Sequence, residues 1–154
     1  MFDPDRADGG SAMSCYRISA RAVPSGDVVE SMDHLHLDPV PRVVGEARTF
    51  MREHAPAETA AVVEVLVLLT SELVTNAVIH ARTPLEVGIT VTDRSLVVTV
   101  HDEDLGNVAK RGGREGGWGL GLVRELSEDS DMERHVGEGK TAWFRIARRH
   151  RGQG

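Results

Sequence analysis

Glu72 and Asn76 stand four residues apart, a spacing that puts both side chains on one face of a helix. Their surroundings are apolar. Val62, Val65, Leu66, Leu69, Leu73 and Ala77 form one helical face, and Val63, Val67, Val74 and Val78 cover much of the other. A helix apolar over most of its circumference is a buried one. A carboxylate and an amide inside it cost on the order of several kcal/mol each unless something pairs with them. A hydrated magnesium ion with its phosphates would supply that pairing, because an amide oxygen is a neutral, hard ligand. The carboxylate could take a proton from an attacking hydroxyl or water. An exposed polar stripe on an ordinary amphipathic helix is the plainer reading, and the spacing leaves it open.

Asp102 shares parity with Leu96, Val98 and Val100, so it continues the apolar face of a strand. A carboxylate there needs a donor. The exocyclic amine of adenine is one; a turn-forming Asp that points to solvent is the alternative. Beyond it, glycines stand at 106, 112, 113, 116, 117, 119 and 121, with Lys110, Arg111 and Arg114 among them. Gly116-Gly117-Trp118-Gly119-Leu120-Gly121 runs into a helical segment. Glycine permits close backbone approach, and the N–H groups of a helix start can face phosphates. A flexible surface loop is the competing reading. GxxxxGK[ST] does not occur, which excludes a P-loop, and no strand precedes a GxGxxG within a βαβ unit.

Other polar residues carry weaker signals. His34 and His36 are two apart on a strand, and without further ligands a surface pair is the better reading than a metal site. His80 falls on the main apolar face of the long helix and reads as a packed histidine. Trp118 and Trp143 read as packing residues. Cys15 is the only cysteine, so neither an intrachain disulfide nor a cysteine zinc cluster can form, and the chain reads as intracellular. Eighteen basic against 24 acidic side chains give a formal charge of −6, which argues against direct nucleic-acid binding. The longest apolar run, Val65 to Leu69, is too short to span a bilayer, and no signal peptide is evident near the N-terminus.

The elements that must position these residues follow from the pattern. The 154 residues favour one domain. Residues 1 to about 30 read as a loose leader, with a short strand near Tyr16 to Ser19, residues 31–148 as the domain, and 149–154 as a frayed tail. Leu35 and Leu37 flank His36 in an edge strand. Asp38-Pro39 predicts a helix start, running to about His54, and Pro56 opens the long helix that carries Glu72 and Asn76. Leu85 to Val91 and Leu96 to Val100 alternate around Asp93-Arg94-Ser95, which predicts a hairpin with one face buried. Leu120, Leu122, Val123 and Leu126 suggest a short helix. Met132 to Val136 and Thr141 to Ala147 suggest strands around Gly137-Glu138-Gly139, the last with Ala142, Phe144 and Ile146 on one face. The order predicts an α+β sandwich on an antiparallel sheet.

The segment Ser71-Glu72-Leu73-Val74-Thr75-Asn76-Ala77-Val78-Ile79-His80-Ala81 closely resembles the N-box of the GHKL ATP-binding superfamily, in the wording of its anti-sigma factor serine kinase branch. Val98-Thr99-Val100-His101-Asp102 looks like the strand and Asp of the next box. Gly117-Trp118-Gly119-Leu120-Gly121-Leu122 resembles the lid-hinge box, and Gly139-Lys140-Thr141-Ala142-Trp143-Phe144 the final one. The resemblance covers about residues 33 to 147. It implies a Bergerat-type two-layer α/β sandwich with a mostly antiparallel sheet and ATP between the helices and one sheet face. Asn76 would ligate Mg2+, Glu72 would be the general base for transfer to a protein serine, and Asp102 would read adenine. Gly106, Gly117, Gly119, Leu120 and Gly121 would line the nucleotide, with Gly119 and Gly121 approaching the phosphates. Thr141 would help hold the adenine side, and Arg48 would lie toward a partner surface.

One box departs from the family pattern. Asp-x-Gly-x-Gly reads here Asp102-Glu103-Asp104-Leu105-Gly106, with Asp104 at the first glycine position, which predicts looser adenine packing. The function implied is that of a cytoplasmic, ATP-binding anti-sigma factor with serine/threonine protein kinase activity. Its partners would be a sigma factor and an anti-anti-sigma protein of the STAS type, and the family resemblance suggests a homodimer, with no membrane contact. Two alternatives stay open: a catalytically silent ATP-binding partner-switch module, and a detached histidine-kinase catalytic domain.

Overall fold

Apolar residues at every second position of 85–91 and of 96–100 build the centre of the molecule. The computed structural model describes residues 21–105 and 120–148. Along these lie β1 (Val29–Leu37), α1 (Val43–His54), α2 (Ala60–Asn76) with a π-helical turn (Ala77–Ala81), β2 (Leu85–Thr92), β3 (Ser95–Asp102), α3 (Leu120–Leu126), β4 (Asp129–His135) and β5 (Gly139–Ala147). The strands form one antiparallel sheet in the order β1-β2-β3-β5-β4. Val87, Ile89, Leu96, Val98 and Phe144 from one sheet face share a buried cluster with Val43, Met51, Leu66, Leu69, Val74 and Val123 from the helices. The architecture is the expected two-layer α+β sandwich.

The helix starts differ from the sequence reading. α1 begins at Val43 and not at Asp38. Pro41 disfavours helical geometry for Val40, so residues 38–42 form a turn in which the Val43 N–H donates to the Val40 carbonyl at 3.1 Å. α2 begins at Ala60, where the Thr59 hydroxyl caps the Val62 N–H at 3.3 Å, several residues after Pro56. The helical stretch Ala60–Ala81 spans 22 residues and is long and apolar enough to cross a membrane by composition, yet more than half of its 18-residue apolar window is buried inside the fold. The contiguous apolar run alone understated this helix.

The sheet is also more covered than alternation suggests. All eight residues of β2 are buried, Glu86, Gly88, Thr90 and Thr92 included, whereas one buried face was expected. Ala22, Val97 and Trp143 form a second small cluster on the face away from the helices. Arg21 clamps this end: its guanidinium meets Asp129 at 2.8 Å and Asp131 at 3.0 Å, and Arg145 donates to the Arg21 carbonyl at 2.6 Å. The stretch read as leader to about residue 30 therefore contains the start of β1 and a packed residue, Ala22, with no exposed surface. Tyr16 to Ser19, the other strand expected there, lies outside the described residues, as does the tail 149–154.

Candidate functional site

Asp102 ends the helix-facing row of β3, after Leu96, Val98 and Val100, and only 2% of its surface is exposed. Its partner across the sheet is Lys140 of β5. The Lys140 Nζ lies 3.2 Å from Asp102 Oδ2 and donates to Asp104 Oδ2 at 3.3 Å. The Asp104 backbone N–H donates to Asp102 Oδ1 at 2.9 Å. Burial pushes the Asp102 carboxyl above its ordinary range, and the Lys140 charge opposes that shift. Asp104, the departure from the family's glycine, is thus bound into the site through both its backbone and its side chain.

Asp102 and Lys140 line a narrow cleft with about 30 Å³ of interior space. Leu73, Ala77, Val100, Met132 and Ala142 give it apolar walls, and Leu120 of α3 adds another. Asn76 and His80 add polar groups from the helix. Asn76 is half-buried and stands where α2 passes into the π-helical turn, a distortion often found at functional sites. Arg82, in left-handed geometry at φ 56°, closes that turn. His80 continues the stripe of Leu73 and Ala77, but that stripe has by then run out of the core into the cleft, so this residue is exposed there.

Glu72 is half-buried one turn before Asn76. It follows Ser71, whose hydroxyl accepts from Arg48 Nε at 2.7 Å and donates to the Val67 carbonyl at 2.8 Å. Arg48 is exposed and comes from α1, so a cation is held at the helix turn that bears Glu72. Glu72 and Asn76 are therefore not sealed in the core, as an all-apolar helix would require. Asn76 lines the cleft, and Glu72 stands one turn before it on the same helix.

Strand parity separates two neighbours in the final box. Thr141 lies on the sheet face opposite the cleft, where its hydroxyl is 2.9 Å from His101 Nδ1 and 3.1 Å from His135 Nε2. Successive strand residues point to opposite faces, and the Asp102–Lys140 pairing puts Lys140 beside the carboxylate. Lys140 was missed in the sequence, although it shares parity with Ala142, Phe144 and Ile146, the row already recognised as apolar. Gly121 is exposed in α3, and a Cβ there would meet nothing within 4 Å, so no close approach requires glycine at that position among the described residues. Gly106, Gly117 and Gly119, with Lys110, Arg111, Arg114 and Trp118, lie outside the described residues.

His34 and His36 flank the buried Glu86, with Nε2 atoms 3.9 and 3.4 Å from its carboxylate oxygens. Among the described residues no group of three or more His, Cys, Asp and Glu could hold a metal ion. Asn76 offers a single neutral oxygen donor at the cleft, which fits an ion that takes few protein ligands and completes its shell with phosphates and water, the habit of magnesium.

The cleft thus combines a buried carboxylate at a strand end, an amide from the helix and apolar walls between them, and a second carboxylate, Glu72, stands one helical turn from the amide. Residues 37–146 match the family described as histidine kinase-like ATPase domain. A search of curated proteins finds no match.

Proposed function

Since the chain belongs to the histidine kinase-like ATPase domain family and is an ATP-binding domain of GHKL type, we propose that it is an anti-sigma factor that phosphorylates a serine or threonine of an anti-anti-sigma protein. The observation that carries this reading is the placement of Glu72 one helical turn before Asn76, which lines the cleft that ends in Asp102. Asp102 would accept from the exocyclic amine of adenine. Leu73, Val100 and Ala142 would pack against the faces of the base, in a cleft they already line. Asn76 would hold Mg2+ together with phosphate oxygens, and magnesium bound there would neutralise charge on the transferring phosphoryl group. Glu72, half-buried and on the same helix face, would take the proton from the attacking hydroxyl. The partners would be a sigma factor and a STAS-type protein, exchanged in the cytoplasm, with the kinase acting as a homodimer.

Incubation with Mg-ATP and a cognate anti-anti-sigma protein should give phosphoserine or phosphothreonine, and Glu72→Ala should abolish transfer while retaining ATP. Absence of transfer in the presence of a verified binding partner would sink the kinase assignment. A second reading, an ATP-binding partner switch without transfer, draws support from the ion pairs of Lys140 with Asp102 and Asp104 at the base end of the cleft. It predicts nucleotide-dependent partner binding that survives Glu72→Ala.

A further inference from the structure

Lys140 is 6% exposed on a strand row otherwise made of Ala142, Phe144 and Ile146. An apolar residue would suit that row for packing alone. A buried ion pair is a poor source of stability, because desolvation of the charges offsets much of their attraction. Its position at the cleft wall beside Asp102 calls for another account.

An ammonium has three donors. Lys140 Nζ lies 3.2 Å from Asp102 Oδ2 and 3.3 Å from Asp104 Oδ2, which accounts for two of them. Each Asp102 oxygen has a contact within this cluster, Oδ1 from the Asp104 N–H and Oδ2 from Lys140, and a carboxylate oxygen has capacity for a second. The closed end of the cleft therefore presents an acceptor and a donor side by side. Adenine carries the complementary pair, an exocyclic amine flanked by ring nitrogens that accept.

We propose that Lys140 is a base-reading residue, donating to a ring nitrogen next to the amine that Asp102 accepts, and that Asp104 is the positioning residue that anchors its ammonium. This rests on the ATP-binding reading and adds to it a second specificity determinant supplied by β5. The acid at 104 and the lysine at 140, joined at 3.3 Å, then act as one unit at the adenine end.

The test is calorimetry of the intact chain with Mg-ATP, 1-deaza-ATP and 7-deaza-ATP, each analogue lacking one ring acceptor beside the amine. One analogue should bind at least about tenfold more weakly than ATP, the size of one charge-assisted hydrogen bond. In Lys140→Met that discrimination should vanish. Asp104→Gly combined with Lys140→Met removes the acid together with its counter-charge, and it should likewise bind ATP and both analogues alike. Equal affinity of wild type for all three nucleotides would overturn the role of Lys140 and leave ATP binding standing. Discrimination that persists in the variants would overturn it too. No nucleotide binding by wild type would overturn the ATP-binding reading and this role together.

Discussion

Gly139 lies against the backbone of Asp102. Its φ is +94°, and a Cβ built there would collide with the Asp102 carbonyl oxygen and crowd the Glu103 Cα at 2.8 Å. The turn that opens β5 is thus folded directly onto the end of β3. This close approach sets the register in which Lys140 faces Asp102, so the base end of the cleft depends on a glycine that has no side chain to offer a ligand.

Gly139→Ala should therefore destabilise the domain by at least about 2 kcal/mol, combining positive-φ strain with a backbone clash. Chemical denaturation would measure it. ATP affinity of the folded fraction should fall as well, because Asp102 and Lys140 would lose their pairing. A variant as stable as wild type would mean that the strand end relaxes freely.

Parity explains how much of this site the sequence made legible. Asp102 was found by following Leu96, Val98 and Val100 along β3, and Lys140 falls to the same rule on β5. The family's wording drew attention one residue further, to Thr141, which alternation puts on the other face. Glu72 and Asn76 were legible because polar residues in an apolar helix demand an explanation. The π-helical turn at 77–81 was not, since spacing arguments assume a uniform helix, and the exposure of His80 was not either, because spacing alone does not show where a helix face leaves the core. Burial of both sheet faces was equally hidden, because Ala22 and Trp143 meet only in the folded chain.

Thr141→Val separates the two readings of the final box. The hydroxyl touches His101 and His135 on the face away from the cleft. Its loss should cost about 1 kcal/mol of stability and leave Mg-ATP affinity within about twofold of wild type, a factor worth less than 0.5 kcal/mol at roughly tenfold per 1.4 kcal/mol. A larger loss of affinity in calorimetry would show that Thr141 reaches the nucleotide after all.

Asn76→Ala should act through the metal. Asn76 lines the cleft at the end of α2, and a single amide ligand is a modest but directed part of a magnesium shell. With magnesium present, ATP affinity should fall by about tenfold, equivalent to roughly 1.4 kcal/mol. In excess chelator, wild type and variant should bind ATP alike. An equal loss under both conditions would indicate that the amide contacts the nucleotide itself.

Asp102 gives the site a pH dependence whose sign follows from its surroundings. Burial raises its folded-state pKa above the ordinary 3.8, against the opposing charge of Lys140. Between the ordinary and the raised value, the folded protein binds more protons than the unfolded chain. The stability contributed by this group is therefore fully present below the ordinary carboxylate pKa and is lost as pH rises through the raised one. Asp102→Asn removes the titration, so the stability of wild type relative to the variant should increase as pH falls through that window. Binding runs the other way: protonation consumes the carboxylate that accepts the adenine amine. Wild-type ATP affinity should thus weaken on acidification at a pH higher than an exposed aspartate would need, while the variant, already weakened, should show a flatter profile. Denaturation and calorimetry across the acid range measure the two slopes separately. If stability and affinity moved in the same direction with pH, the buried carboxylate would not be the group that reads the base.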